Sequence, residues 1–299
     1  MSTTTVLAPA ASAAVSTDST PKPDSALDIA KTTDGKRNRL HRIPWPATKE
    51  EHQRWQLEQM AGAFRLFAKF GFADGASGHI SLREPDPIRP NTFWINPYAV
   101  HFGQLKVSHM VHVDEMGNRL GGADRPVNTA GFIIHSSIHK ARPDINAACH
   151  MHSPYGRAWS TFGKPIDMLN QDSCMFYKDL SVYPSFGGVV HATEEGKRIA
   201  AALGPTNKNL IMQNHGLLTC GGTVAEAAAF FVALERACQT QLLVDNAIKE
   251  SGGSLEKTFV GDVEAQYTKD GTGTPEVMYM QFLPEYEMLL EETDGKFLQ

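Results

Sequence analysis

The sequence predicts an α/β protein folded as an α/β/α sandwich, and two observations point there. Apolar runs of strand length and amphipathic runs of helical period are mixed along the chain, without the strict alternation that a doubly wound fold needs. At the centre, Ala141 to Tyr155 reads as a helix end, a Pro-Asp turn, a buried strand over Asn146–His152 and a new helix. Ser153 is the expected N-cap of that helix and Pro154 its first position. A length of 299 residues with 41% hydrophobic content suffices for one large domain or two small ones with a sizeable core.

Taken in order, residues 1–42 are rich in Ser, Thr, Ala, Pro and Asp and lack a periodic apolar pattern, so a disordered leader is expected. Arg is absent before Arg37, and Asp18, Asp24 and Asp28 are present, which argues against a transit peptide and for a cytoplasmic protein. The folded domain is expected over 43–250, entered through Ile43-Pro-Trp-Pro46. A helix runs from Thr48 to about Phe70, with Trp55, Met60, Ala63, Phe64 and Phe67 recurring mostly at three and four. A glycine-bearing loop then enters a strand within Gly75–Arg83. Thr92–Asn96 is a second strand, and Val111–Leu120 a hairpin turning at Met116-Gly117-Asn118. Asn128–Lys140 is helical. After His152 come a helix to about Phe162, a loop through Gln171-Asp172, a strand near Val182, a helix from Thr193 to Leu203, and two strands flanking His215. Thr223-Val-Ala-Glu226 is a capping box opening the longest helix, which reaches about Glu250. Residues 251–299 read as a C-terminal extension or arm, with a Gly-rich link at Asp270–Pro275 and a final helix within Met278–Leu290.

Charge and composition exclude several functions. A net charge of −5 and the lack of a long basic run give no case for nucleic acid, and no apolar run approaches the ~20 residues that span a bilayer. Cys149, Cys174, Cys220 and Cys238 are widely spaced without a Cys-x-x-Cys pair, so reduced thiols are expected rather than a zinc ribbon or a disulfide framework.

The histidines supply the chemistry. Side chains alternate along a strand, so His150 and His152 share one face while Cys149 and Met151 share the other. Two imidazoles side by side can take two corners of one metal ion, although a strand facing solvent can also carry two histidines for no chemical reason. His215, at a Gly-flanked strand end in Gln213-Asn214-His215-Gly216, adds a third. Three histidines with an open position make a catalytic rather than a closed structural site.

Gly78-His-Ile-Ser-Leu-Arg83, the helix ending Ala141-Arg-Pro-Asp144, the strand ending His150-Met-His-Ser153, and Asn214-His-Gly216 with its following capped helix come in a recognisable order. Over roughly Thr48 to Glu250 the chain resembles the class II aldolase/adducin superfamily. The resemblance implies a three-layer α/β/α domain assembled as a homo-oligomer, usually a homo-tetramer, with small-molecule sites near subunit interfaces. It implies a divalent metal on His150, His152 and His215, most often Zn2+, with Fe2+ or Mn2+ as alternatives. The family's sugar-phosphate aldolases carry a catalytic Glu where this chain has Gly131, and a phosphate-holding Asn where it has His79. The pattern is therefore more similar to the decarboxylase and oxygenase-like members found beside secondary-metabolite pathways. The expected function is a metal-dependent carbon–carbon lyase, aldolase-like or decarboxylase-like, acting on a small oxygenated acid or carbonyl compound. Alternatives are a non-haem iron oxygenase or oxidative decarboxylase of the same superfamily, and a non-catalytic adducin-like scaffold.

Six further residues are candidates for the site. Asp172 is the carboxylate candidate and Tyr155 the proton donor; a turn residue and a packed aromatic are their ordinary alternatives. Ser77, His79, His135 and Gln171 are expected to bind substrate. His79 could meet a substrate carboxylate as a cation or cap its loop, and His135, one turn from His139, could line the pocket or be a hydrogen-bonded structural residue. Cys149 and Cys220 adjoin the metal motifs and are expected to point into the core as small apolar residues.

Overall fold

The structure, a computed structural model, describes residues 42–86, 88–89, 91–188 and 193–299. The expected leader, residues 1–42, lies outside the described residues except for Arg42. Strands β1 (His79–Arg83), β2 (Thr92–Ile95), β3 (Val111–Asp114), β4 (Arg119–Gly122), β5 (Ala147–Met151), β6 (Leu180–Tyr183), β7 (Asn209–Met212) and β8 (Gly216–Gly221) form one sheet. Their order is β4-β3-β2-β1-β5-β8-β7-β6. Neighbours pair antiparallel except β6 with β7, which are parallel.

Helices cover both faces, as the central strands require, since β5, β7 and β8 are buried at every position. Beneath lie α1 (Lys49–Lys69), α6 (Val224–Glu250) and α8 (Pro275–Thr293), which share a core with Ile80, Leu82, Cys149, Met151 and Leu217. Above lie α2 (Thr129–Ala141) and α5 (Thr193–Leu203), packed on Ala148, Leu210, Leu218 and Cys220. Cys149 and Cys220 are buried on opposite faces, so both behave as small apolar core residues. The remaining α-helices among the described residues are α3 (Pro154–Ser160), α4 (Gln171–Cys174) and α7 (Asp262–Thr272).

Several local expectations hold. Asp114 Oδ1 accepts from the amides of Met116 and Asn118, and Gly117 takes φ +85, which closes the β3–β4 hairpin at the expected turn. Thr223 caps α6 by accepting from Glu226 N–H. The reciprocal half of the box is displaced by one residue: the Glu226 carboxylate accepts from Gly222 N–H and pairs with Lys208.

Other expectations are corrected. Gln171 and Asp172 sit in the one-turn helix α4 rather than a loop, because Asn170 Oδ1 accepts from Ser173 N–H and nucleates the turn. Asp270, Gly271 and Thr272, read as part of a Gly-rich link, are the end of α7, where Gly271 is buried. In the C-terminal segment α8 packs on this chain's own α1 and α6, burying Val277, Met278 and Phe282 in their core.

Candidate metal centre

Antiparallel pairing sets His79 of β1 opposite His150 of β5, and Ser81 opposite Ala148. Residues directly opposite share a face. Both histidines therefore rise on the side roofed by α2. His152 follows β5 by one residue and His215 precedes β8, at a turn where Asn214 takes φ +56. Ring centroids lie 4.6 Å apart for His150 and His215 and 5.1 Å for the other two pairs. One nitrogen from each ring lies within 4.8 Å of those from the other two.

The donor chemistry suits a divalent ion. His150 Nδ1 is 2.7 Å from the Leu217 carbonyl, which can only accept, so the hydrogen is on Nδ1 and Nε2 is left with its lone pair. Burial pushes His150 well below the ordinary histidine range, with His215, His79 and His152 adding to the effect. His215 is pushed down to about 4, first by burial and then by His152. His152 is lowered by burial and by Arg157, against an opposing pull from Asp74. Three neutral imidazoles are what a metal takes as ligands. They open on a cavity of about 360 Å³ that Ser77, Gly131, Asn128 and Arg157 also line.

Two supports of this site were not legible in the sequence. Ser153 occupies the N-cap of α3, but its hydroxyl makes no cap; it donates to Glu235 Oε2 at 2.5 Å. The same carboxylate, reaching from α6, accepts from Tyr155 N–H at 2.7 Å and Gly156 N–H at 2.6 Å, so Glu235 satisfies the first turn of α3 and fixes the chain just after His152. Arg157 lies on the cavity wall, its Nη1 donating to Asp74 Oδ2 at 2.8 Å.

A second group of histidines runs inward from the first. His79 Nδ1 is 2.9 Å from His135 Nε2, Ser81 Oγ is 2.7 Å from both His135 Nδ1 and His139 Nε2, and His139 Nδ1 is 3.1 Å from the Ile145 carbonyl. His135 is thus a hydrogen-bonded interior residue that touches the cavity only through His79. Burial, then the neighbouring His135, His215 and His152, hold His79 well below the ordinary range, which favours a neutral ring over the cationic role considered for it.

Of the remaining candidates, Ser77 and His79 line the histidine cavity. Tyr155 is 38% exposed and stands outside that lining. Asp172 lines a different cavity, of about 330 Å³, with Phe67, Arg236 and Phe282, and Gln171 beside it is exposed. The structure therefore does not bring Asp172, Gln171 or Tyr155 to the triad.

The sequence pattern of the Class II Aldolase and Adducin N-terminal domain matches residues 58–242. The chain belongs to the class II aldolase and adducin family. It is 42% identical over 234 residues to the Meiotically up-regulated gene 14 protein of Schizosaccharomyces pombe, a match covering 78% of this chain and 88% of that protein. It is 39% identical over 203 residues to Decarboxylase NovR of Streptomyces niveus, covering 68% of this chain and 74% of that one. Its fold is similar to the solved L-fuculose 1-phosphate aldolase from Glaciozyma antarctica PI12, with a TM-score of 0.77 and 37% identity over 86% of this chain and 97% of that chain.

The two positions at which the sequence was expected to depart from the sugar-phosphate aldolase pattern, His79 and Gly131, share one space. A Cβ on Gly131 would lie 1.9 Å from His79 Nε2. The His79 ring is buried and tethered to His135, so it cannot swing aside. An imidazole at 79 requires glycine at 131.

Proposed function

We propose that the protein is a metal-dependent carbon–carbon lyase, aldolase-like or decarboxylase-like, acting on a small oxygenated acid or carbonyl compound, with Zn2+ held by His150, His152 and His215. The observation that carries this reading is the cluster of three neutral imidazoles with converging nitrogens on the wall of an open cavity. When bound there, a divalent ion supplies Lewis-acid stabilisation of the carbanion or enolate left by loss of carbon dioxide or an aldehyde. The chain's own residues do the rest: Leu217 O fixes the His150 ring, Glu235 fixes the turn after His152, and Arg157 offers a cation at the cavity wall to a substrate carboxylate. The family resemblance further supports a homo-tetramer with a place in secondary metabolism. Among the described residues, no helix is long and apolar enough to cross a membrane.

Sugar-phosphate cleavage should be slow despite the fold likeness to a fuculose-phosphate aldolase, because Gly131 offers no carboxylate. General-base catalysis contributes ~10²–10⁴-fold, so the deficit should be plain in a rate assay with fuculose 1-phosphate. Metal analysis followed by a screen of 2-hydroxy acids, 2-oxo acids and aldol substrates tests the reading directly. Stripped protein restored with zinc should regain a lyase activity; activity restored by iron(II) and oxygen alone would show an oxygenase. No binding of chelating acids, together with unchanged cellular function when His215 is replaced in a folded variant, would leave only the scaffold.

A further inference from the structure

We infer that His79 is a fixed hydrogen-bond acceptor for a substrate hydroxyl, oriented by a one-way chain of hydrogen bonds through His135, Ser81 and His139 to the Ile145 carbonyl. The inference rests on the reading of the histidine cavity as the substrate site. Its direction is set at the far end of the chain. A carbonyl only accepts, so the hydrogen between His139 and Ile145 belongs to His139 Nδ1. His139 is buried and pushed down to about 3, first by burial and then by the charge of Arg83, so the ring is neutral and its Nε2 is an acceptor.

Each remaining link then has one allowed polarity. Ser81 Oγ must donate to His139 Nε2, and so it accepts from His135 Nδ1. His135 Nε2 is left as an acceptor and takes the hydrogen of His79 Nδ1. In the neutral ring His79 Nε2 is then left with a lone pair; it lies against Gly131, in the space a Cβ there would fill, and both residues line the cavity. With His150, whose Nδ1–H donates to Leu217, four neighbouring histidines are held in the same Nδ1–H tautomer.

This polarity selects the ligand. The substrate atom opposite His79 has to be a donor, which a hydroxyl is and a ketone, carboxylate or phosphate oxygen is not; any of these would set lone pair against lone pair in a buried place. The substrate class is thereby narrowed to 2-hydroxy acids in preference to 2-oxo acids. Ser81, His135 and His139 are positioning residues that act through His79.

Two measurements test the proposal. In ¹⁵N-histidine-labelled protein, long-range ¹H–¹⁵N spectra should show His79, His135 and His139 as neutral Nδ1–H tautomers, with or without zinc. In zinc-loaded protein, lactate should bind about tenfold more tightly than pyruvate by calorimetry. Ser81→Ala should erase that preference while leaving zinc content unchanged, and Ser81→Thr, which keeps the hydroxyl, should restore it. An Nε2–H or doubly protonated His79, or equal affinity for lactate and pyruvate in zinc-loaded protein, overturns the inference. So does loss of zinc in His79→Ala, which would make His79 a ligand. Should Ser81→Ala fail to fold, the tautomers of the unaltered protein still decide. Failure of the protein to take up zinc would instead count against the proposed function, and the tautomer spectra separate the two.

Discussion

The His150–His152–His215 triad and the His135–His139 pair are one residue type in opposite hydrogen-bonding states, with the ring of His79 touching both groups. His135 and His139 are 0% and 1% exposed, and every ring nitrogen of both has a partner. His150 is as deeply buried, yet its Nε2 has no hydrogen-bond partner, and neither do the rings of His152 and His215 among the described residues. Burial therefore does not separate a site from an interior. Hydrogen-bonding capacity left free toward a cavity does, because those nitrogens are open to a ligand.

The comparison breaks most visibly in metal content. Exchanging both His150 and His152 for Ala should take the protein from about one ion per chain to none, whereas His139→Gln should leave the ion in place. Elemental analysis that showed metal following His139 would reverse the two roles. The next effect is on acid stability. A histidine whose folded pKa lies below its unfolded value binds fewer protons when folded, so stability is full above about pH 6.5 and falls as pH drops toward the folded value, about 3 for His139. Between pH 7 and 5 His139 alone should cost about 2 kcal/mol, read by urea unfolding of metal-free protein, and His139→Gln should flatten the slope.

Smaller effects sharpen the comparison. Glu235→Ala removes the acceptor of three donors beside His152, for an expected loss of about 1–3 kcal/mol and weaker metal binding, while Glu235→Gln should recover much of the stability. Gly131→Ala gives the smallest shift and the most telling sign. Helix propensity alone predicts a gain of ~1 kcal/mol, but the collision with His79 should turn it into a net loss of about 1–2 kcal/mol, relieved in a His79→Asn background. Thermal melts of the single and double variants check this.

The strands and long helices were legible because their periodicity is local, and His150, His152 and His215 because a same-face pair and a Gly-flanked third are local too. What escaped the sequence depends on chain segments far apart. His135 and His139 at helical spacing were open to either role until Ser81, from a strand 54 and 58 residues away, was seen to occupy both rings. Glu235 looks like any glutamate in a long helix; only the docking of α6 on α3 shows that it is 2% exposed and fully used. Asp172 misled for the converse reason. A polar pair between apolar segments suggests a site, but α4 turns it toward the cavity of α6 and α8. Gly271 hid the end of α7 because a helical glycine reads as a break until its burial is known.

The shared volume of His79 and Gly131 also bears on how this pocket could arise by single substitutions. A carboxylate at 131 and an imidazole at 79 compete for one space, so a lineage holding the first could not gain the second until the carboxylate had shrunk to hydrogen. Reversal must take the opposite order, with His79→Asn before any side chain returns at 131. The path between the two pocket types is therefore a corridor with one permitted sequence of steps, and its midpoint is a pocket with neither group.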